Sequence, residues 1–271
     1  MKYRQLLILL SWVTWFTVPV HADFSPPPYR PEVLLKVLAR VMITKAQGVQ
    51  PIAVFDLDDT LLDSRTRTKV IFDEFAQNPE IARRFPRESQ LLSQIWTEGI
   101  QFKLSDTLAQ NGITDPTFTA MLANTWAEKF FSNLYCRLDR PLPGAAAFLQ
   151  TLVRAGARIV YLTGRDQPGM EIGTRESLRR NRFPTNPNVA RLLMKSDKAM
   201  PDLEFKKNAF LWIRKQGQVV AGFENEPVNI NAYADAFPEG IMVYVDTIHL
   251  SDPQGLQPKI SWIRNFLPPR R

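Results

Sequence analysis

Pro51-Ile52-Ala53-Val54-Phe55-Asp56-Leu57-Asp58-Asp59-Thr60-Leu61 joins a short apolar run to three carboxylates within four positions. An apolar run without alternation is the pattern of a strand buried on both faces of a sheet. The carboxylates that end it repel one another and gain nothing from burial. A divalent cation resolves that cost, because hard cations such as Mg²⁺ take carboxylate oxygens. In an irregular turn alternate residues can point into one pocket, so Asp56 and Asp58 can share it while Leu57 supplies a backbone carbonyl. The same residues also suit a solvated turn, or a helix cap at Asp59 or Thr60.

Upstream, residues 32–45 carry Leu34, Leu35, Val37, Leu38 and Val41 at helical spacing. Downstream the character changes. Residues 69–76, 88–110 and 117–134 place aromatics and aliphatics at helical spacing, with no strand pattern. Breaks fall at Asn78-Pro79, Phe85-Pro86, Asn111-Gly112 and Asp115-Pro116. This stretch reads as a helical insertion over 64–140. An α/β alternation then resumes. A helix is expected over 144–155, a strand over 158–162 ending in Thr163-Gly164-Arg165, and a helix to about residue 180. Strands follow at 190–194, 219–223 and 240–245, with a helix across 204–215. Alternating strands and helices imply a mostly parallel, doubly wound α/β sheet covered on both faces. Ligands of such sheets bind beyond the carboxyl ends of the strands, where the polar clusters of this chain fall.

The run from Phe55 to Leu61 resembles the first motif of the haloacid dehalogenase superfamily, and Val160-Tyr161-Leu162-Thr163 is similar to its second. The resemblance implies a Rossmann-like core over 23–63 and 141–271, with the insertion at 64–140 acting as a cap. It implies a phosphatase whose nucleophile is Asp56 and whose acid/base is Asp58, with Thr163 bonding a phosphoryl oxygen. Family dehalogenases lack the second Asp, so Asp58 favours phosphatase chemistry. The third motif is a Lys at a helix start. Lys206 has the best spacing, with Lys207 and Lys195 as alternatives, and its ammonium would neutralise nucleophile and phosphate. The fourth motif departs from the family's paired aspartates: Gly222-Phe223-Glu224-Asn225-Glu226-Pro227 offers Glu224 and Asn225 beside Asp56 and Asp58 as Mg²⁺ ligands. Asn229 is a weaker candidate, and Glu226 is expected outside the metal shell. Gly164 would let backbone approach a phosphate. Arg165 would either grip an anionic group or pair with a site acid. The substrate implied is a small phosphomonoester. The alternatives are a phosphotransferase with an acceptor hydroxyl in place of water, and a binding protein that has lost turnover.

Composition narrows the rest. The 271-residue chain has a net charge of +7, with basic residues scattered rather than set in one block, so nucleic acid is not expected as a partner. Lys2 and Arg4, an apolar stretch over 6–20 and Val20-His21-Ala22 have the layout of a signal peptide over 1–22, cleaved before Asp23. Export to a periplasm without stable membrane insertion is the expectation. Cleavage also removes His21, which leaves His249 as the sole histidine, read as surface. Cys136 is the only cysteine, read as a small buried hydrophobe, so no intrachain disulfide forms. One histidine and one cysteine give little support to a zinc site. Of the insertion's aromatics, Phe72, Phe75, Trp96, Phe102 and Trp126 read first as core.

Overall fold

The structure, a computed structural model, describes residues 28–250 and 252–268. The signal-peptide expectation at 1–22 lies outside the described residues. No helix among the described residues is long and apolar enough to cross a membrane.

Strand β1 (Pro51–Phe55) is buried along its whole length, as its unbroken apolar run requires. It lies inside a six-stranded parallel sheet with β4 (Arg158–Asp166), β5 (Ala190–Lys195), β6 (Gln218–Glu224), β7 (Ile241–Val245) and β8 (Ser261–Ile263). The strand order is β5-β4-β1-β6-β7-β8, so the chain builds outward on both sides of β1. Phe55 pairs with Tyr161 of β4 and with Phe223 of β6. That register brings the residues just beyond the three strands to one edge of the sheet.

Both faces are covered. On one, α1 (Val33–Ala46) and α8 (Ala145–Arg154) pack Val37, Val41, Leu149 and Leu152 against Ala53, Phe55 and Phe223. The Phe55 and Phe223 rings stack at 4.5 Å. On the other, α10 (Asp202–Arg214) and α11 (Pro227–Ala236) press Phe210, Ile213, Ile230 and Tyr233 onto Ile52, Val54 and Leu162. A further helix, α9 (Gln167–Arg180), follows β4.

Between β1 and β4 lie the helices of the insertion: α2 (Arg65–Ala76), α3 (Pro79–Arg84), α4 (Pro86–Ser93), α5 (Leu104–Gln110), α6 (Pro116–Phe130) and α7 (Asn133–Cys136). A short antiparallel pair, β2 (Leu62–Asp63) with β3 (Arg140–Pro141), joins the two chain crossings. The Pro-marked breaks are helix starts, and two of them carry side-chain caps. The Asn78 side chain accepts the N–H groups of Glu80 and Ile81, and Asp115 accepts those of Thr117 and Phe118. The helices enclose a separate apolar cluster around Phe72, Phe75, Leu92, Leu108, Phe118 and Leu122.

Three expectations are corrected. Strand β4 runs four residues past Leu162, through Thr163-Gly164-Arg165 to Asp166, because pairing with β5 resumes at Asp166 after an irregularity. The strand β8 and the β2–β3 pair went unpredicted; each is too short to carry a periodicity. His249 is half-buried against the Tyr244 ring, where a surface position was expected. Cys136 is fully buried beside Met170 and Met194, as its reading anticipated.

Phe118 is fully buried and meets Phe75 and Phe85 edge-on at 5.3 and 5.5 Å. Replacing it with Ala removes about 3–5 kcal/mol from this cluster. Because the cluster is separate from the sheet's, hydrogen exchange should quicken across 65–136 while β1 and β6 stay protected.

Candidate active site

The strand ends bring Asp56, Thr163 and Glu224 to one edge, and α10 adds a cation. Lys206, one turn into that helix, is buried, with Nζ 2.8 Å from Asp56 Oδ1 and 2.5 Å from Glu224 Oε2. Burial works against its charge, but Asp56 and Glu224 outweigh that and hold the ammonium well above the usual lysine range. The three lysine candidates thus separate. Lys195 Nζ donates to Asp202 Oδ1 at 2.7 Å and to the carbonyls of Lys198 and Met200, fixing the loop after β5. Lys207 is exposed.

Glu224 is held on its other oxygen, where Oε1 accepts the N–H groups of Asn225 and Glu226, both at 3.0 Å. Two buried carboxylates therefore share one ammonium. Burial first, and the Glu224 charge next, push the Asp56 carboxyl well above the usual range against the pull of Lys206. A cation beside Asp56 would relieve this. Oxygen donors are at hand for it: the second Asp56 oxygen, which no hydrogen bond among the described residues reaches, and Asn225 Oδ1. The latter accepts from Thr60 Oγ1 at 2.9 Å while Asn225 Nδ2 donates to the Ile248 carbonyl. These donors suit a hard ion such as Mg²⁺.

Asp58 does not join that set. Arg165 grips it with Nε at 2.8 Å from Oδ2 and Nη2 at 2.7 Å from Oδ1, and Arg67 Nη2 lies 2.8 Å from Oδ1. Its carboxylate faces arginines, where a metal contact was expected. Among the described residues no three acidic, His or Cys side chains converge as a metal-holding group. Burial raises the Asp58 carboxyl, but Arg165 and Arg67 overcome it and hold the group well below the usual range.

Both arginines also bind Asp139. Arg67 Nε lies 2.9 Å from Asp139 Oδ1, and Arg165 Nη2 lies 2.6 Å from Oδ2. Two acids and two guanidiniums close a charge-balanced quartet, buried at Arg67, Arg165 and Asp139 and 30% exposed at Asp58. Arg67 completes its bonding on the Phe130 carbonyl at 2.8 Å, with its guanidinium 4.2 Å above that residue's ring. Arg165 thus takes the second of its two expected roles, pairing with a site acid, and Nη1 donates to Thr174. Arg67 and Asp139 escaped the sequence reading. Their only signal was that each flanks a junction of the insertion.

Asp59 takes a left-handed backbone (φ 57°) and accepts the Ser64 N–H at 3.0 Å. Burial, with the Asp58 charge second, pushes its carboxyl up to about 8. Thr163 is buried, and its Oγ1 accepts the Arg165 N–H at 3.3 Å. At Gly164 a Cβ would lie 2.2 Å from Asp202 Oδ2, so a side chain there would displace that carboxylate. Asn229 lines the same cavity. Glu226 accepts the Leu250 N–H at 2.6 Å.

Asp56, Thr163 and Lys206 open into one cavity of about 430 Å³, whose far wall is the helical insertion. A buried carboxylate, a buried lysine and a hydroxyl stand at the carboxyl edge of a parallel sheet, where open α/β sheets bind their ligands. A family model described as haloacid dehalogenase-like hydrolase matches residues 51–192, more than half of the chain, and the chain belongs to that family. Among solved structures, it resembles a putative phosphatase from Clostridium difficile at 13% identity and a TM-score of 0.54, covering 79% of this chain and 94% of that one. A haloacid dehalogenase-like hydrolase from Streptococcus pneumoniae matches at 10% identity and a TM-score of 0.47, covering 80% and 94%. Comparison with curated proteins returns no match.

Two measurements probe these charges. Lys206→Gln strands two buried carboxylates, so urea unfolding should show a loss of about 3–5 kcal/mol. For Asp59 the folded state keeps a proton that the unfolded chain releases near the ordinary value of 3.8. Its stabilising contribution is full below that value and is lost as pH rises toward about 8. Asp59→Asn, which tolerates the left-handed backbone, should gain stability relative to the parent as pH is raised from 5 to 8.

Proposed function

We propose that the chain is a Mg²⁺-dependent phosphohydrolase that cleaves small phosphomonoesters through an aspartyl-phosphate on Asp56. One observation carries this reading: the Asp56 carboxylate, with one oxygen held by Lys206 and the other unbonded, faces a cavity shared with Thr163.

The attacking atom is the Asp56 oxygen that Mg²⁺ would leave free. Lys206 shares its charge between Asp56 and Glu224 and fixes the carboxylate's direction, so attack needs little reorganisation. Thr163 is placed to donate its hydroxyl proton to a phosphoryl oxygen. Asp58, kept ionised by Arg165 and Arg67, is set as the base that takes a proton from the water hydrolysing the aspartyl-phosphate. To donate a proton to the leaving oxygen, it must first release one of its arginine contacts. Asp56 and Asn225 would hold Mg²⁺, with Glu224 supporting through Lys206, and the ion would supply charge neutralisation for the transferring phosphoryl group. The insertion serves as the cap that shields this chemistry from water. The layout of residues 1–22 supports export, with the mature chain starting at Asp23.

The test is phosphate release from an aryl phosphate by the protein from Asp23 onward, which keeps every described residue. Activity should require Mg²⁺ and vanish with excess chelator. Asp56→Asn should lower it by at least about 10³-fold. Metal-independent release, or release undiminished in Asp56→Asn, overturns the mechanism.

A further inference from the structure

Asp56, Thr163 and Lys206 occupy one end of the cavity, and the other end lies beyond the reach of a phosphoryl group bound there. At about 430 Å³ the space is far larger than a phosphoryl group needs and falls within the range of small-molecule pockets. Its far wall is formed by Ile100, Phe102, Leu104, Trp126, Phe130 and Phe131 of the insertion.

These aromatics do not serve the insertion's own core. Phe72, Phe75, Phe85 and Phe118 fill that cluster, and Trp126 borders it. Phe102, Phe130 and Phe131 belong to no apolar cluster among the described residues. Phe130 is spent, with the Arg67 guanidinium above its ring and Trp126 stacked against it at 4.4 Å. Phe102 and Phe131 are different: they keep 41% and 36% of their surface exposed, yet both line the cavity.

Phe131 is also braced. Trp126 and Phe130 meet its ring near-perpendicularly at 5.9 and 5.0 Å. Lys198, from the loop after β5, places Nζ 4.7 Å from the ring centroid and makes no ion pair among the described residues. A ring held from several directions is a rigid platform that loses little entropy when another ring packs on it.

Several polar groups on this wall are engaged within the protein. The Thr107 hydroxyl accepts the Gln101 N–H, the Thr68 hydroxyl accepts Trp126 Nε1–H, and Gln101 Nε2 donates to the Gly99 carbonyl. Against Ile100, Phe102, Leu104 and Phe131 a sugar or polyol would bury hydroxyls on carbon, at a cost that an aromatic ring avoids.

We propose that Phe102, Phe131 and Trp126 form a leaving-group subsite for a planar aromatic ring, selecting aryl phosphates or nucleotides over sugar and polyol phosphates. The inference rests on the phosphate binding at Asp56, as in the proposed function, and its test separates binding from turnover. Calorimetry compares phenylphosphonate with methylphosphonate, neither of which can be hydrolysed as an ester. Phenylphosphonate should bind at least about tenfold more tightly, the scale of one well-packed ring. That ratio should shrink to about threefold or less in Phe102→Ala/Phe131→Ala. It should stand unchanged in Trp96→Ala, whose ring is 79% exposed and lies outside the cavity.

In parallel, kcat/KM is measured for phenyl phosphate, adenosine 5′-monophosphate, glycerol 1-phosphate and glucose 6-phosphate. Either aromatic ester ahead of both others supports the subsite, and the leader tells whether the ring sits next to the phosphate or beyond a ribose. Equal binding of the two phosphonates by the parent protein overturns the subsite, whatever the variants do. So does a sugar or polyol phosphate leading the panel. Phosphonate discrimination with no ester hydrolysed would instead leave the subsite standing and sink the phosphohydrolase reading.

Discussion

The Lys206 ammonium, lodged between the Asp56 and Glu224 carboxylates, sets the terms for the rest of the site. A buried carboxylate needs a compensating charge, and one that cannot move away. Lys206 meets both conditions because α10 is pinned to the sheet by Phe210 and Ile213. Glu224 anchors the lysine in turn through two backbone N–H groups of its own turn. The result is a rigid reacting oxygen backed by the parallel sheet.

The second buried charge system has a different job. Asp58, Arg67, Arg165 and Asp139 come from the turn after β1, the first helix of the insertion, the end of β4 and the segment before β3. Each guanidinium touches both carboxylates. Removing any one member leaves an unbalanced buried charge, so the four act as a unit. They join the insertion to the sheet at Asp58, which couples the position of the helices to the state of that carboxylate.

Much of this was legible in the sequence, for local reasons. The β1 run, its carboxylates and the Thr163 turn are contiguous, so their chemistry can be read in place. Lys206 emerged from its place at a helix start, with Phe205, Ala209 and Ile213 as expected core positions, whereas the structure buries it with Phe210 and Ile213. The Asn78 and Asp115 caps follow from neighbouring residues alone. What stayed hidden depends on distance along the chain. Arg67 and Asp139 lie 72 positions apart, and a lone arginine on a helix looks like any solvated one. The aromatics of the insertion carried the same ambiguity. Phe72 and Phe75 went to the core while Phe102 went to the cavity, and only packing separates them.

The central place of β1 has a consequence for the chain as it is made. Ile52 waits for Arg158 on one side and Val219 on the other. At ribosomal speeds that gap is on the order of ten seconds. Until β4 emerges, this fully buried strand has two unpaired edges, while the insertion behind it, built from near-neighbour contacts, can already collapse. Birth and enclosure are therefore far apart: the first strand of the sheet to emerge is flanked on both edges only once β6 has followed it. A nascent chain of this design depends on whatever shelters that strand during the wait.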